Sequence, residues 1–410
     1  MTFLSQFKGL PKQVYILSVL KVMVGIGSMV FALVSLIVTD TLGYSAATAS
    51  MVAMILAFVK GAGAFFGGRI ADLKGRKFSC LICGAITLVF YVLGGIFCRT
   101  WLVIPCIMLG SFGANGIGSP ISALVADNAP RERSVESFSL LYMCSNLGFA
   151  VGPSIGGMLY YKHLGMSFYL QAVVYFAAAL GAYFLVDENY DPSVFRAQMV
   201  ENRKNRTKAQ ESSLKLLAKR KLLLIFLICL VVMYICYAMI AFMLPLQLSD
   251  RFGTEMGARY VGNIWTVNGI VVVIATALLV GRIKRKHEYV NCAKTCVLYA
   301  IGFGMYAFIS KVPLFFVSAV IWTLGEVLAN TGAGTFIAQQ SPESHRGRFQ
   351  SLFEIAGFVG KGIAPPVCAF VMARAGYSGT WKLNSCICLA VAAVFIICYK
   401  TLVKKEAANE

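Results

Sequence analysis

The chain has 410 residues, 58% of them hydrophobic and only 13% charged, with a net charge of +19. A soluble domain needs roughly a quarter charged residues to cover its surface, so this composition excludes a soluble fold and places most of the outer surface in lipid. The positive charge gathers in alternate loops, a membrane-orientation pattern rather than a nucleic-acid footprint.

A spanning helix needs about 20 apolar residues, and apolar runs of that length recur along nearly the whole chain. They are too long and too uniform for barrel strands of about ten alternating residues, so the fold is all-α. The expected spans are 14–38, 46–67, 78–97, 102–126, 137–161 and 167–186, then 221–249, 258–280, 290–309, 314–340, 349–373 and 380–402. The first, apolar apart from Lys21, is too long for the core of a signal peptide and reads as a retained span. About 26 of the 37 Lys and Arg fall on one side, about 7 on the other and 4 inside spans, which predicts cytoplasmic termini.

The polar stretch 187–220, rich in Lys and Arg, reads as a solvated linker against the anionic inner leaflet. It divides the chain into an N-terminal six-helix bundle (1–186) and a C-terminal one (221–410). The halves echo each other at a nearly constant offset: Asp40 with Asp250, Gly68 with Gly281, Ser139 with Ser351 and Pro153 with Pro365. Collinear matches of this kind indicate duplication, and repeat-built transporters place their substrate site at the repeat interface near mid-membrane.

Between the second and third spans the loop reads Gly68-Arg69-Ile70-Ala71-Asp72-Leu73-Lys74-Gly75-Arg76-Lys77. Glycine permits the turn, the cations hold it in the cytoplasm, and Asp72 can face a helix N-terminus or pair with Arg76. The fifth span carries Gly148, Gly152, Pro153, Gly156 and Gly157, small residues that let helix backbones approach. The loop resembles the signature loop of the major facilitator superfamily, with Leu73 where a basic residue is usual. The fifth-span pattern resembles that of the superfamily's drug:proton antiporters. The antiporters also carry an Arg-x-x-Gln-Gly run in the fourth span. The nearest match here is Phe112-Gly113-Ala114-Asn115-Gly116, without the arginine. The resemblance implies two pseudo-symmetric bundles of six helices that rock around a central cavity, exporting a lipophilic compound in exchange for protons.

Glu326 lies about twelve residues into its span, where a carboxylate is costly unless paired or protonated. Its Thr323-Leu324-Gly325-Glu326 context resembles the tenth helix of some proton-driven multidrug exporters. Lys361 sits at a similar depth, so the two form either a coupling and substrate site or a structural pair. Lys21 and Lys60 either snorkel to the cytoplasmic interface or face the cavity, where they favour an anionic or zwitterionic substrate. Asp127, Arg131 and Arg133, with Arg346, Arg348 and Glu354 in the second half, read as cytoplasmic gate residues.

The lone Cys80/Cys83 pair lacks a partner pair for zinc, and most cysteines read as small apolar residues. No phosphate-binding loop or catalytic constellation appears, so neither ATP-driven transport nor enzymatic chemistry is expected. The sequence reads as a monomeric carrier in the plasma (inner) membrane. It would take a small-molecule substrate, contact membrane lipids, need no cofactor or metal, and draw on a proton gradient. The rival within transport is a carrier of a specific anionic, lipid-like or peptide solute; the rival outside it is a membrane-embedded enzyme.

Overall fold

A computed structural model describes residues 7–188, 221–283, 287–340 and 346–407. Nearly all of these residues are helical, with no strand among them. We name the helices in chain order. α1 is Lys12–Ile26, α2 Ala46–Lys74, α3 Arg76–Ile96 and α4 Val103–Asn128. The continuous stretch Ser134–Leu185 is kinked at non-helical His163 into α5 (134–162) and α6 (164–185). α7 is Lys221–Phe252, α8 Thr254–Ile283, α9 Glu288–Met305 and α10 Val312–Gln340. Arg346–Ala407 is kinked at Gly376, where φ is +61°, into α11 (346–375) and α12 (377–407). Each expected span falls largely on helix; the first is interrupted at 27–30 and the ninth ends its helix at Met305.

Among the described residues eight continuous stretches are long and apolar enough to cross a membrane, and two of these eight, the kinked ones, run 50 and 47 residues. At about 20 residues per crossing, each of those stretches can cross twice. Gly and Asn lower the apolarity of α4, and Asn291 and Lys294 lower that of α9.

The first span departs from an unbroken helix. α1 stops at Ile26, and the chain resumes as a 3-10 turn (Phe31–Leu33), one α turn (Val34–Leu36) and a π turn (Ile37–Thr41). Gly25, Gly27 and Ser28 are poor helix formers. A side chain at Gly27 would overlap the Tyr175 ring. The break exposes backbone groups where lipid offers no partner. Buried Gln171 supplies one, its Oε1 accepting from the Val30 N–H at 2.9 Å.

The described residues gather into two compact units, Met1–Asn202 with Leu244–Val273, and Arg203–Met243 with Ile274–Glu410. In the first unit the helices cross through glycine. Gly63 and Gly67 of α2 meet the backbone of α4 at Phe112 and Gly116, and Gly113 meets Cys83 and Thr87 of α3. Ser79 of α3 donates to the Gly67 carbonyl at 2.6 Å. Residues 244–273 join this unit because α8 packs on α5. Ser154 donates to Asn263 at 2.9 Å, Thr266 donates to the Ala150 carbonyl, and Thr254 donates to Asp40 at 2.7 Å. Tyr160 also donates to Asp40, at 3.2 Å.

The second unit is built around α9. Thr295 donates to the Gly325 carbonyl at 3.0 Å, Ser318 to Gly302 at 2.7 Å and Ser385 to Ala300 at 2.7 Å. Its core is aromatic. Trp322 and Trp381 are fully buried against Phe303, and Trp322 donates to the Tyr306 hydroxyl at 3.1 Å.

Candidate functional site: two membrane-embedded clusters and a basic loop

The loop after α2 turns on Gly75, whose φ of +99° lies in the region that favours glycine. Arg76 opens α3 and pairs with Asp127 at the end of α4. The expected loop and gate residues therefore meet. The backbone N–H groups of Arg76 and Lys77 donate to the two carboxylate oxygens of Glu188, the latter at 3.1 Å. An acid at a helix N-terminus satisfies unpaired N–H groups and meets the positive end of the dipole. Glu188 follows α6, more than a hundred residues away, so no local pattern marks it as the cap. Asp72 is exposed, within the field of Arg76, and Gly68 lies against Ser119. The Lys77 ammonium stands 5.6 Å from the centre of the Tyr183 ring.

Arg133 donates to the Lys8 carbonyl at 3.0 Å, tying the turn before α5 to the N-terminal segment. Arg131 lies in the 3-10 turn that precedes α5, and Arg346, Arg348 and Glu354 lie on α11. The side chains of these four are outside the described residues, as are residues 189–220 of the expected linker.

The glycine face of α5 is a double crossing. Side chains at Gly148, Gly152 and Gly156 would overlap the carbonyls of Val22, Ile26 and Met29 on the first span. A side chain at Gly157 would overlap the Ala258 carbonyl of α8, while Gly262 of α8 sits on the backbone of Pro153 and Ser154. Pro153 has no N–H to return to the Phe149 carbonyl. The motif thus holds α5 between the broken first span and α8.

At that break the first unit assembles a cluster that sequence reasoning missed. Phe31, Phe149 and Trp265 meet edge to face with centroids 5.7, 5.5 and 5.7 Å apart. Such pairs are each worth about 0.5–1.5 kcal/mol beyond burial. The Lys60 ammonium lies 4.6 Å above the Phe31 ring. Lys60 is the midpoint of the 29-residue α2. Lys21, partly buried, reaches toward Gly118 of α4, where the missing Cβ leaves room. Asn115 turns back on its own helix, donating to the Ser111 carbonyl at 2.9 Å.

In the second unit Glu326 and Lys361 share one tyrosine cluster. The Tyr299 phenol, 3% exposed, lies in the field of the Glu326 carboxylate and of Tyr237 and Tyr234. The Lys361 ammonium stands 5.6 Å from the centre of the Tyr234 ring. Gly360 brings α11 onto α7, since a Cβ there would stand 2.7 Å from the Tyr234 Cβ.

A second acid, Glu288, opens α9 outside the expected spans and is 7% exposed. It accepts from Asn291 at 3.3 Å, and burial pushes its carboxyl up to about 7. His287 stacks on Tyr289 at 5.3 Å, and Tyr289 donates to the Leu222 carbonyl at 3.0 Å. No group of His, Cys, Asp and Glu fit to hold a metal ion occurs among the described residues.

The model of the family described as Major Facilitator Superfamily matches residues 17–295 and 295–410. The chain is 24% identical over 341 residues to the "Uncharacterized MFS-type transporter YttB" of Bacillus subtilis (strain 168), covering 82% of each. It is 22% identical over 402 residues to the "Na(+), Li(+), K(+)/H(+) antiporter" of Planococcus maritimus, covering 93% of this chain and 94% of that one. To the "Multidrug resistance protein MdtG" of Proteus mirabilis (strain HI4320) it is 25% identical over 334 residues, covering 78% of each. Among solved structures, the nucleoside transporter NupG superposes with a TM-score of 0.72 at 16% identity, over 98% of this chain and 100% of that one. The human organic anion transporter MFSD10 superposes with a TM-score of 0.68 at 14% identity, over 94% of this chain and 100% of that one. These matches agree: the chain belongs to the major facilitator superfamily and is a multi-pass membrane transporter, not an enzyme.

Proposed function

We infer that this chain exports lipophilic, drug-like small molecules in exchange for protons, by alternating access of two six-helix bundles, 1–186 and 221–410, joined by the 187–220 stretch. The observation that carries this reading is Glu326, an acid well inside an apolar helix, set beside Tyr299 and sharing a tyrosine cluster with Lys361. A carboxyl so placed is neutral when unpaired and ionises when its surroundings open to water. Alternation of proton and substrate at one site is sufficient for antiport. The α5 crossings support the same branch of the family, as do the printed names of the multidrug and cation/proton relatives. The proton gradient supplies the energy and no cofactor is needed. The carrier works as a monomer in the plasma (inner) membrane, with both termini in the cytoplasm, the side of the basic loops.

A second reading, transport of a specific anionic, lipid-like or peptide solute, is favoured by one observation: Lys60 stands at the middle of α2. Proteoliposomes under an imposed pH gradient test the main reading with a panel of lipophilic substrates. Accumulation that follows the gradient and collapses with a protonophore is expected. Accumulation indifferent to the gradient overturns it.

A further inference from the structure

The first unit carries a cavity of about 220 Å³ at the end opposite the basic loop 68–77. Three segments meet there. The first span closes on the π turn Ile37–Thr41, α3 gives way to the turn that holds Arg99, and α5 runs to Tyr160 and Tyr161 before the His163 kink, with Leu164 just past it. α2 starts at this end and runs 29 residues to the loop, about 40 Å away at 1.5 Å per residue. A π turn within a helix is frequent at functional sites.

The lining is dipolar. Asp40 and Arg99 both face the cavity, and no ion pair joins them among the described residues. The Asp40 carboxylate accepts from Thr254 at 2.7 Å through one oxygen and from Tyr160 at 3.2 Å through the other. An ionised carboxylate has about four acceptor sites, so these bonds fix it in place and leave it able to take an ammonium group. Tyr160 is fixed in turn by Thr41 at 2.9 Å. Arg99 offers a planar fork of donors that matches a carboxylate. Tyr160 and Leu164, both buried, supply an apolar wall. Opposite charges held apart around one small cavity suit a ligand with the complementary charges at its two ends. The volume lies below the roughly 300–1,000 Å³ of sites that enclose drug-sized ligands, so the cavity is not built for the lipophilic cargo of the export reading.

We propose that this cavity binds a small zwitterion of the amino-acid type, its ammonium on Asp40, its carboxylate on Arg99 and its apolar side chain against Leu164 and Tyr160. The site shares no residue with the two membrane-embedded clusters and does not rest on the export reading. Because Asp40 also holds Thr254, a bound amino acid ties the turn between α3 and α4 to the first span and to the start of α8.

The test is equilibrium dialysis of three radiolabelled probes against the purified full-length protein in phosphatidylcholine nanodiscs. The probes share one skeleton: L-leucine, 3-methylbutylamine, which lacks the carboxylate, and 4-methylpentanoate, which lacks the ammonium. Leucine should bind about ten-fold tighter than either analogue, a step typical of one charge-assisted contact. Arg99→Gln should weaken leucine about ten-fold and leave 3-methylbutylamine unchanged, while Arg99→Lys should keep most of the leucine affinity. Asp40→Asn should weaken leucine and spare 4-methylpentanoate. Should Asp40→Asn fail to fold, Arg99→Gln, which alters an exposed side chain, decides by itself. Leucine binding no tighter than either analogue, unchanged leucine affinity in a folded Arg99→Gln protein, or no leucine binding at about 10 mM would each overturn the proposal. Dialysis needs no gradient, so its outcome is independent of pH-driven transport.

Discussion

The two units use related helices differently. α7 runs unbroken for 32 residues, whereas its repeat partner, the first span, breaks between Ile26 and Phe31. The corresponding stretch of α7 reads Ile235-Cys236-Tyr237-Ala238, side chains that fill space, where the first span has Gly25-Ile26-Gly27-Ser28. The helix contacts remain parallel: Gly148 seats α5 on the first span, and Gly360 seats α11 on α7. The first half's spans carry cations without an acid, and the second unit carries Glu326 with Lys361. One unit holds a broken span with Lys60 over a ring group, and the other a tyrosine cluster beside Glu326 and Lys361.

The most severe way to break this comparison is Glu326→Gln, which keeps shape but cannot ionise. If coupling resides in the second unit, transport driven by a pH gradient should fall to background while the protein still folds and reaches the membrane. A stable Glu326→Gln protein that still concentrates substrate against a gradient would assign coupling elsewhere.

Next in size is a pH effect confined to the second unit. Burial raises the Glu288 carboxyl from 4.5 to about 7, so the native state binds the proton more tightly than the unfolded chain. Stability is therefore fully present below pH 4.5 and falls as pH rises to about 7, by of order 3 kcal/mol. Thermal unfolding in detergent at pH 5 and pH 8 should show this loss, and Glu288→Gln should flatten it. Equal pH slopes in both proteins would show that other groups govern the dependence.

The crossings themselves allow a paired comparison. A Cβ at Gly148 overlaps a backbone carbonyl that cannot step aside, whereas at Gly357 it meets only the Tyr234 ring at 3.7 Å. Gly148→Ala should destabilise by roughly 1–3 kcal/mol, as overpacking does. Gly357→Ala should be neutral or gain up to about 1 kcal/mol of helix propensity. Similar unfolding midpoints for the two variants would mean that α5 does not pack as tightly as described.

The smallest effect sharpens the loop. Glu188→Ala removes the cap from α3 at a cost of about 1 kcal/mol. Hydrogen exchange at the Arg76 and Lys77 amides should quicken about five-fold, while Arg76→Ala, which removes the ion pair with Asp127, should leave those amides protected. Unchanged exchange in Glu188→Ala would assign the cap to another group.

What the sequence by itself determined is what depends on local chemistry. Apolar length places most of each span on helix, because lipid leaves an isolated backbone no other way to pair its polar groups. Basic loops set the expected orientation, and the glycine spacing on α5 marks a close crossing before its partners are known. The tertiary structure decided whatever needs groups from distant helices. At the break of the first span Tyr175 fills the space beside Gly27 and Gln171 supplies the acceptor that Val30 needs. Neither residue is near the break in sequence, so the apolar run reads as one helix. Phe31, Phe149 and Trp265 are each unremarkable apolar residues in the sequence, and only packing places them on one another beneath Lys60. Glu188 is an ordinary acid after a span until folding carries it to the start of α3. Residues 244–273 belong to the second half by descent and to the first unit by contact, because a contact is a property of the folded surface and leaves no periodicity in the chain.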